Sequence, residues 1–428
     1  MADLPGFAPS TWTRTASREA ALELIRLTPG GLARSQLASL LGISRSAVTA
    51  IVGELIERGL LQEAAGRASR GGRRAVPLQI NRAAATLLGI DIGATHILIV
   101  LTDLAAHVLA EAEAPWAIGL GPEACLQRLE EMQAELLKGA PSGWKRPWAV
   151  GVGVPGPVVA SRGMVSAPPI MPGWDGFPIR QRLEEQWGLP VSLHNDAELG
   201  ALGEWSFGAG RGVKDMVYVK VGTGIGSGLL LNGRIYRGVS GTAGEIGHIT
   251  IDQNGPRCTC GNRGCLEAMA GGLAIAEQAI AAVKRGEPTA LASYPNVEKI
   301  TAFDVAEAAK RGDHLAQRLL HRAGLLIGTA IATLVNLFNP SLVVIGGGVA
   351  QVGDLLLEPI RQTVEKRSLR ASANEVRIQA AMLGRRSSGM GAIALAQSWA
   401  LRMLAGGART ATPNQGGVPE PMPILESR

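Results

Sequence analysis

"GTAGEIGHITIDQNGPRCTCGNRGCLEAMAGG" (Gly241–Gly272) gathers three of the chain's four cysteines, Cys258, Cys260 and Cys265, into one short loop. The fourth, Cys125, lies far upstream. His248 stands ten residues before Cys258, and one imidazole with three thiolates makes a complete tetrahedral donor set for zinc. The C-x-C-x4-C spacing is tight, and "GNRG" supplies the turns that fold the thiolates back. Four protein donors leave no open position, so such a site is structural rather than catalytic. A reactive thiol pair is the alternative, although no resolving partner or redox motif accompanies these cysteines. Glu245 precedes His248 by three positions and Glu267 follows Cys265 by two. A metal here would pin two carboxylates and an imidazole together, an arrangement suited to the vicinal hydroxyls of a sugar. Otherwise both glutamates are ordinary surface charges.

Upstream and downstream of this loop, apolar strands end repeatedly in glycine-rich turns. "TLLGIDIGATHILIVLTDLAAHVLAEAEA" (Thr86–Ala114) predicts three consecutive strands with "DIGAT" at the first turn. "DMVYVKVGTGIGSGLLLNGRIY" (Asp215–Tyr236) repeats the pattern roughly 130 residues later, which suggests two similar lobes facing a cleft. "SLVVIGGGVA" (Ser341–Ala350) adds a strand, three glycines and then an amphipathic helix. Turns of this kind expose several backbone N–H groups that together hold an anionic phosphate chain. "GTGIGSG" is not the dinucleotide fingerprint, because Ser227 takes the third glycine position and a strand follows where that fold needs a helix. "PVSL" predicts a short strand leading into a helix at Asn195 and Asp196. Those two residues serve either as helix caps, the commoner use, or as a substrate hydrogen-bonding group and a general base.

The first 82 residues differ in charge from the rest: eleven arginines stand against six acids, on a chain whose net charge is only +6. A basic end on a nearly neutral body points to a polyanion. "SREAALELIRL" (Ser17–Leu27), "SQLASLLG" (Ser35–Gly42) and "SRSAVTAIVGELIERG" (Ser44–Gly59) predict three helices, each opened by serine. The second and third have the spacing of a helix-turn-helix, with Ser44, Arg45, Ser46 and Thr49 offered to base edges and phosphates. "GRASRGGRR", between two predicted strands, would be a wing whose Arg67, Arg70, Arg73 and Arg74 grip a DNA backbone. A trihelical protein-interaction domain is the alternative. The cysteine count indicates a cytoplasmic rather than a secreted protein. Neither a signal pattern nor a membrane span is expected, since the longest apolar run, Ala323–Val335, is too short and predicts a buried helix. The tail Gly406–Arg428, rich in Pro and Gly, predicts disorder.

Together these segments resemble the ROK proteins (repressors, open reading frames and kinases) of the actin-like sugar-kinase superfamily, over roughly Ser17–Ala400. The most specific likeness is the opening stretch, which matches the family's E-x-G-H segment and its C-x-C-G-x-x-G-C-x-E zinc motif at every position. "GVGVPGPV" (Gly151–Val158) and "MPGWDG" (Met171–Gly176) also look like family segments flanking the pocket. The resemblance implies an α/β chain: a winged helix-turn-helix (1–82), then a two-lobed, ribonuclease H-like body (83–196 and 197–405) with a structural zinc site. It implies zinc on His248, Cys258, Cys260 and Cys265, and a sugar pocket lined by Asn195, Asp196, Glu245, His248 and Glu267. In kinase members Asp196 would be the base, with Mg-ATP on the turns of Asp91, Gly93 and Thr95, of Gly222, Thr223 and Gly224, and of Gly346, Gly347 and Gly348. Those members read D-x-G-G-T at the first turn, often followed by Lys, where this chain has Ala94 and then His96. If that position needs positive φ or the close approach of a phosphate, the Cβ costs about 1 kcal/mol and would obstruct the ligand.

Two functions follow from the resemblance. One is a sugar-responsive transcriptional regulator, most simply a repressor, that binds operator DNA as a homodimer or homotetramer. The other is an ATP-dependent sugar kinase with an appended DNA-binding domain. Kinase members generally lack the N-terminal module, and the first reading is preferred on that ground. A third reading, a body that binds a protein instead of a sugar, fits the pocket carboxylates less well.

Overall fold

The computed structural model describes residues 14–64, 76–141, 144, 146–168 and 170–406. The arginines Arg67, Arg70, Arg73 and Arg74 and the tail beyond Gly406 lie outside the described residues.

Three helices open the chain: α1 (Arg14–Leu27), α2 (Arg34–Leu41) and α3 (Arg45–Glu57). A short antiparallel pair, β1 (Leu61–Glu63) and β2 (Leu78–Ile80), follows. Helix α1 starts three residues before the predicted Ser17, which is buried within it. Helix α2 is capped at Ala33 rather than Ser35, because the Gln36 side chain reaches back to accept from the Ala33 N–H at 2.9 Å. Ser44 does cap α3, accepting from Ala47 N at 3.2 Å. Gly42 ends α2 in the left-handed conformation (φ 64°), and α3 leaves at 115° to α2. The stripe Val48, Ile51, Val52 and Leu55 is buried, while Ile56 is only half-buried.

The body contains two five-stranded sheets with the same pairing pattern. In the first, β3 (Thr86–Ile92) pairs antiparallel with β4 (His96–Asp103), which pairs with β5 (Val108–Pro115). After α4 (Pro122–Gly139) comes β6 (Pro147–Val154), parallel to β3. The small ribbon β7 (Val158–Val159) and β8 (Met164–Val165) and helix α5 (Ile179–Trp187) then lead to β9 (Val191–Asn195), parallel to β6. Helix α6 (Asp196–Phe207) leads to the second sheet, where β10 (Met216–Val221), β11 (Ile225–Leu231) and β12 (Arg234–Tyr236) form the same antiparallel meander. The cage loop, α7 (Leu266–Ala270), α8 (Gly272–Lys284), α9 (Ala302–Lys310) and α10 (His314–Phe338) intervene before β13 (Leu342–Gly346), parallel to β10. Helices α11 (Asp354–Arg367) and α12 (Arg370–Glu375) precede β14 (Arg377–Ala380), parallel to β13. The last helix is α13 (Ser387–Gly406).

All seven residues of β3 are buried, as a strand covered on both faces requires. On one side lies the core it shares with α4 and α5; on the other lies α13, in a core continuous with α1–α3. Helix α13 crosses α6 so closely that a Cβ on Gly391 would stand 1.8 Å from the Leu199 carbonyl oxygen. Only glycine permits that approach. Helix α10, which contains the predicted Ala323–Val335 segment, is long and apolar enough to cross a membrane, as is the bent α2–α3 pair. Ala323, Ile327, Ala330, Ile331 and Val335 are buried in the second lobe's core, against α11.

Candidate functional site

The cage loop turns back on glycine. Gly264 has φ +63°, and a Cβ there would lie 1.5 Å from the Asp252 carbonyl oxygen. Ile251 N donates to Gly264 O at 2.7 Å and Leu266 N to Ile249 O at 2.9 Å, which brings Cys265 beside the His248 segment. The donor atoms of His248, Cys258, Cys260 and Cys265 all lie within 4.8 Å of one another. Cys260 Sγ and Cys265 Sγ are 3.7 Å apart, and Cys258 Sγ is 3.6 Å from His248 Nδ1. Four donors at about 2.3 Å from one ion stand about 3.8 Å apart, so the set has the dimensions of a metal site. All three cysteines are free. Burial and the neighbouring thiols push Cys265 up to about 12, whereas a hydrogen bond from the Asn262 backbone lowers Cys260. A bound cation would reverse the effect on Cys265.

Between the lobes, a small cleft is lined by Asn195 and Glu198 on one side and by Ser227, Gly244 and Glu245 on the other. Gly156 and Pro157 of the "GVGVPGPV" segment complete its wall, whereas Trp174 of "MPGWDG" is fully buried in the first lobe's core. Asn195 is a helix cap: its Oδ1 accepts from Ala197 N (2.9 Å) and Glu198 N (3.2 Å), while its Nδ2 donates to Gly156 O (3.0 Å). Asp196 is not bound in the same way. Its Oδ2 lies 2.8 Å from the ammonium of Lys220. Glu245 feels the charges of Asp196, His248 and Glu267, so these four groups share one neighbourhood. Of the residues expected in a sugar pocket, Asn195 and Glu245 line the cleft, whereas Asp196, His248 and Glu267 do not; the Glu267 carboxylate accepts from Ile225 N at 3.0 Å.

Two groups here escaped the sequence reading. Glu198 is buried between His194 (3.5 Å) and Arg237 (3.1 Å). The Asn-x-x-Glu spacing at the head of α6 was the available signal, although it predicts a capping box rather than an ion pair across the cleft. Lys220 breaks the otherwise apolar strand β10. Besides meeting Asp196, it lies 3.6 Å from Asp91, which also has His96 at 3.5 Å. Burial alone would raise the Asp91 carboxyl, but Lys220 and His96 outweigh it and hold it below the usual range.

The glycine turns lie at the same end of the sheets. Gly93 N donates to His96 O at 2.8 Å across the β3–β4 turn. Ala94 is not among the described residues with positive φ, so it carries none of the left-handed strain anticipated for it. The carbonyls of Gly222 and Thr223 accept from Gly272 N (2.8 Å) and Leu273 N (3.0 Å) at the start of α8. Gly347 (φ +89°) lies over Val221, where a Cβ would meet its carbonyl oxygen at 2.4 Å, and Gly348 faces open space. The Gly222–Gly224 and Gly346–Gly348 turns are therefore neighbours, and the Lys220–Asp91 ion pair ties them to the first turn. Far from this cleft, Ser44, Arg45, Ser46 and Thr49 are all exposed on the first turns of α3.

Comparison with known proteins places these features. The ROK family model matches residues 87–398. A xylose repressor of Caldicellulosiruptor bescii is 34% identical over 364 residues, covering 85% of this chain and 91% of that protein. A glucokinase of Halalkalibacterium halodurans is 37% identical over 299 residues, covering 69% of this chain and 90% of that protein. The crystal structure of a ROK family transcriptional regulator, a homologue of the E. coli MLC protein, has TM-score 0.76 and 30% identity over 91% of this chain and 99% of its own. The family match takes in both sheets, the cleft and the cage, and the sequence identities extend over most of each relative; the chain belongs to the ROK family.

Proposed function

We propose that this protein is a sugar-responsive, DNA-binding transcriptional regulator, acting as a repressor. The observation that carries this reading is the covalent union of a three-helix, two-strand module with a sugar-kinase-like body. The repressor-type relatives align across that union, and the glucokinase covers a smaller share. We assign residues 1–82 to a winged helix-turn-helix, residues 83–196 and 197–405 to the two lobes, and Ser44, Arg45, Ser46 and Thr49 to the DNA-reading surface.

In the body, Asn195, Asp196, Glu245, His248 and Glu267 form the sugar pocket, with Glu198 beside them. Zinc suits the donor set of His248, Cys258, Cys260 and Cys265. When bound it supplies rigidity alone, since the chain fills all four positions. His248 then serves the pocket as well as the metal, and Glu245 is positioned by the same short segment. A homodimer reads two half-sites, so a small rotation of the lobes on sugar binding misaligns the heads and releases the operator.

The test has two arms. Fluorescence anisotropy with DNA from the protein's own promoter should show binding that a sugar found by thermal shift releases. Sugar-dependent ADP release that vanishes in Asp196→Ala would overturn the regulator reading in favour of a kinase.

A further inference from the structure

Lys220 is the one charged residue of β10, and the other five residues of that strand are fully buried. Strands β3 and β10 hold the same central place in the two sheets. Asp91 lies near the end of β3 and Lys220 near the end of β10, so their ion pair joins the lobes at the base of the cleft. Asp196, at the start of α6, makes the third member at 2.8 Å. The ammonium side chain is 15% exposed and the two carboxylates 2% and 14%, so water screens this group poorly. Both Asp91 contacts fall on Oδ2, since Oδ1 is buried without a hydrogen-bond partner on the side where a Cβ on Gly153 would approach it.

Two carboxylates balance one divalent ion. With an ammonium already between them the trio carries a single negative charge, and a dication placed there would face a fixed positive neighbour in a poorly screened site. Burial works against a charged lysine, yet the two carboxylates hold the Lys220 pKa above its ordinary value. The proton therefore stays on Lys220, while burial, opposed by the Lys220 charge and reinforced by Asp91, raises the Asp196 carboxyl above its usual range.

We propose that Lys220 is a tethered cation in the place a divalent metal would take between Asp91 and Asp196. The cleft therefore does not take up Mg-ATP, and Asp196 accepts a hydrogen bond from an uncharged sugar hydroxyl instead of removing its proton. The residues of this chain thus do not fit the nucleotide that the kinase branch of the resemblance implies. Only the sugar part of this inference rests on the regulator reading.

Manganese ion alone is the probe, titrated into the full-length protein and followed by the electron paramagnetic resonance of free Mn²⁺. Wild type and Lys220→Arg should take up none at this site at about 1 mM metal. Lys220→Met, shown by circular dichroism to be folded, should gain about one equivalent with at least about tenfold tighter binding, and Asp91→Asn added to it should abolish that gain. Either of two results overturns the proposal: wild-type Mn²⁺ binding that Asp91→Asn removes, or a folded Lys220→Met that gains none. If Lys220→Met does not fold, wild type, Lys220→Arg and Asp91→Asn still decide the question. Failure of the regulator reading would register separately, as DNA binding that no sugar alters, and would leave the Mn²⁺ result standing.

Discussion

Arg45 projects from the exposed first turn of α3, beside a Ser44 whose hydroxyl is engaged in capping that helix. Among the described residues of the α3 head it is the one guanidinium, so it should carry a large share of DNA recognition. Arg45→Ala should weaken operator binding by about 1–3 kcal/mol, measured by anisotropy, with the melting temperature unchanged. An affinity within error of wild type would move the DNA-reading surface elsewhere. Behind the cleft residue Glu198, His194 lies buried at 3.5 Å from its carboxylate. Burial is the largest influence on its imidazole and lowers the pKa; the Glu198 hydrogen bond opposes this, and the Arg237 charge adds to the lowering. Below about pH 6.5 the unfolded chain then binds a proton that the folded chain rejects, so stability is present above that pH and is lost as pH falls through the folded value. Denaturant unfolding from about pH 8 down to pH 5 should show this slope, and His194→Gln should flatten it.

At the level of elements, the cage loop, the three N-terminal helices, the first three-stranded meander and the β10–β11 hairpin of the second were legible in the sequence, whereas β12 was not. Each legible element is written in local signals: thiol spacing, helical apolar periodicity with the Gly42 stop and the Ser44 cap, and apolar runs ended by glycine. Asn195 was legible too, as the cap that spacing favoured. Lys220 and Glu198 were not assigned, because their partners Asp91 and Arg237 come from elements far away in the chain. Their burial follows from the docking of two lobes, which periodicity within a segment does not encode. Ala94 was read as a possible point of strain, yet the β3–β4 turn never asks it for positive φ. The cage supports this same region, since His248 and Glu245 share one short segment. Chelation, or Cys260→Ser, should therefore cut sugar-induced release of DNA by about 10-fold or more while leaving sugar-free DNA affinity within about twofold. Equal loss of both would show that the cluster merely holds the fold together.

Across the whole molecule, one helix touches both ends of the proposed function. Helix α13 has 20 residues, about 30 Å of rise. At its start, the Ser388 hydroxyl donates to the Asp196 carbonyl at 2.8 Å, beneath the cleft. Further along, Gln397 Oε1 accepts from Arg26 at 3.2 Å and its Nε2 donates to the Leu104 carbonyl at 2.7 Å. Ser398 donates to Glu23, whose other oxygen holds Arg26 at 2.7 Å. At its end, the Ala405 carbonyl accepts from Arg58, just past α3, at 2.8 Å. A shift of α6 on sugar binding thus bears on the same rigid element that seats α1 and α3. Both side chains of the Glu23–Arg26 pair are under 5% exposed, so removing one hydroxyl partner perturbs the joint without stranding a charge. Ser398→Ala should accordingly leave sugar affinity in place and change the ratio of DNA affinities with and without sugar by about 0.5–2 kcal/mol. Isothermal titration supplies the first quantity and anisotropy the second. If the ratio stays within error of wild type while Ser388→Ala also leaves it untouched, α13 only supports the DNA-binding module and carries no signal between the two sites.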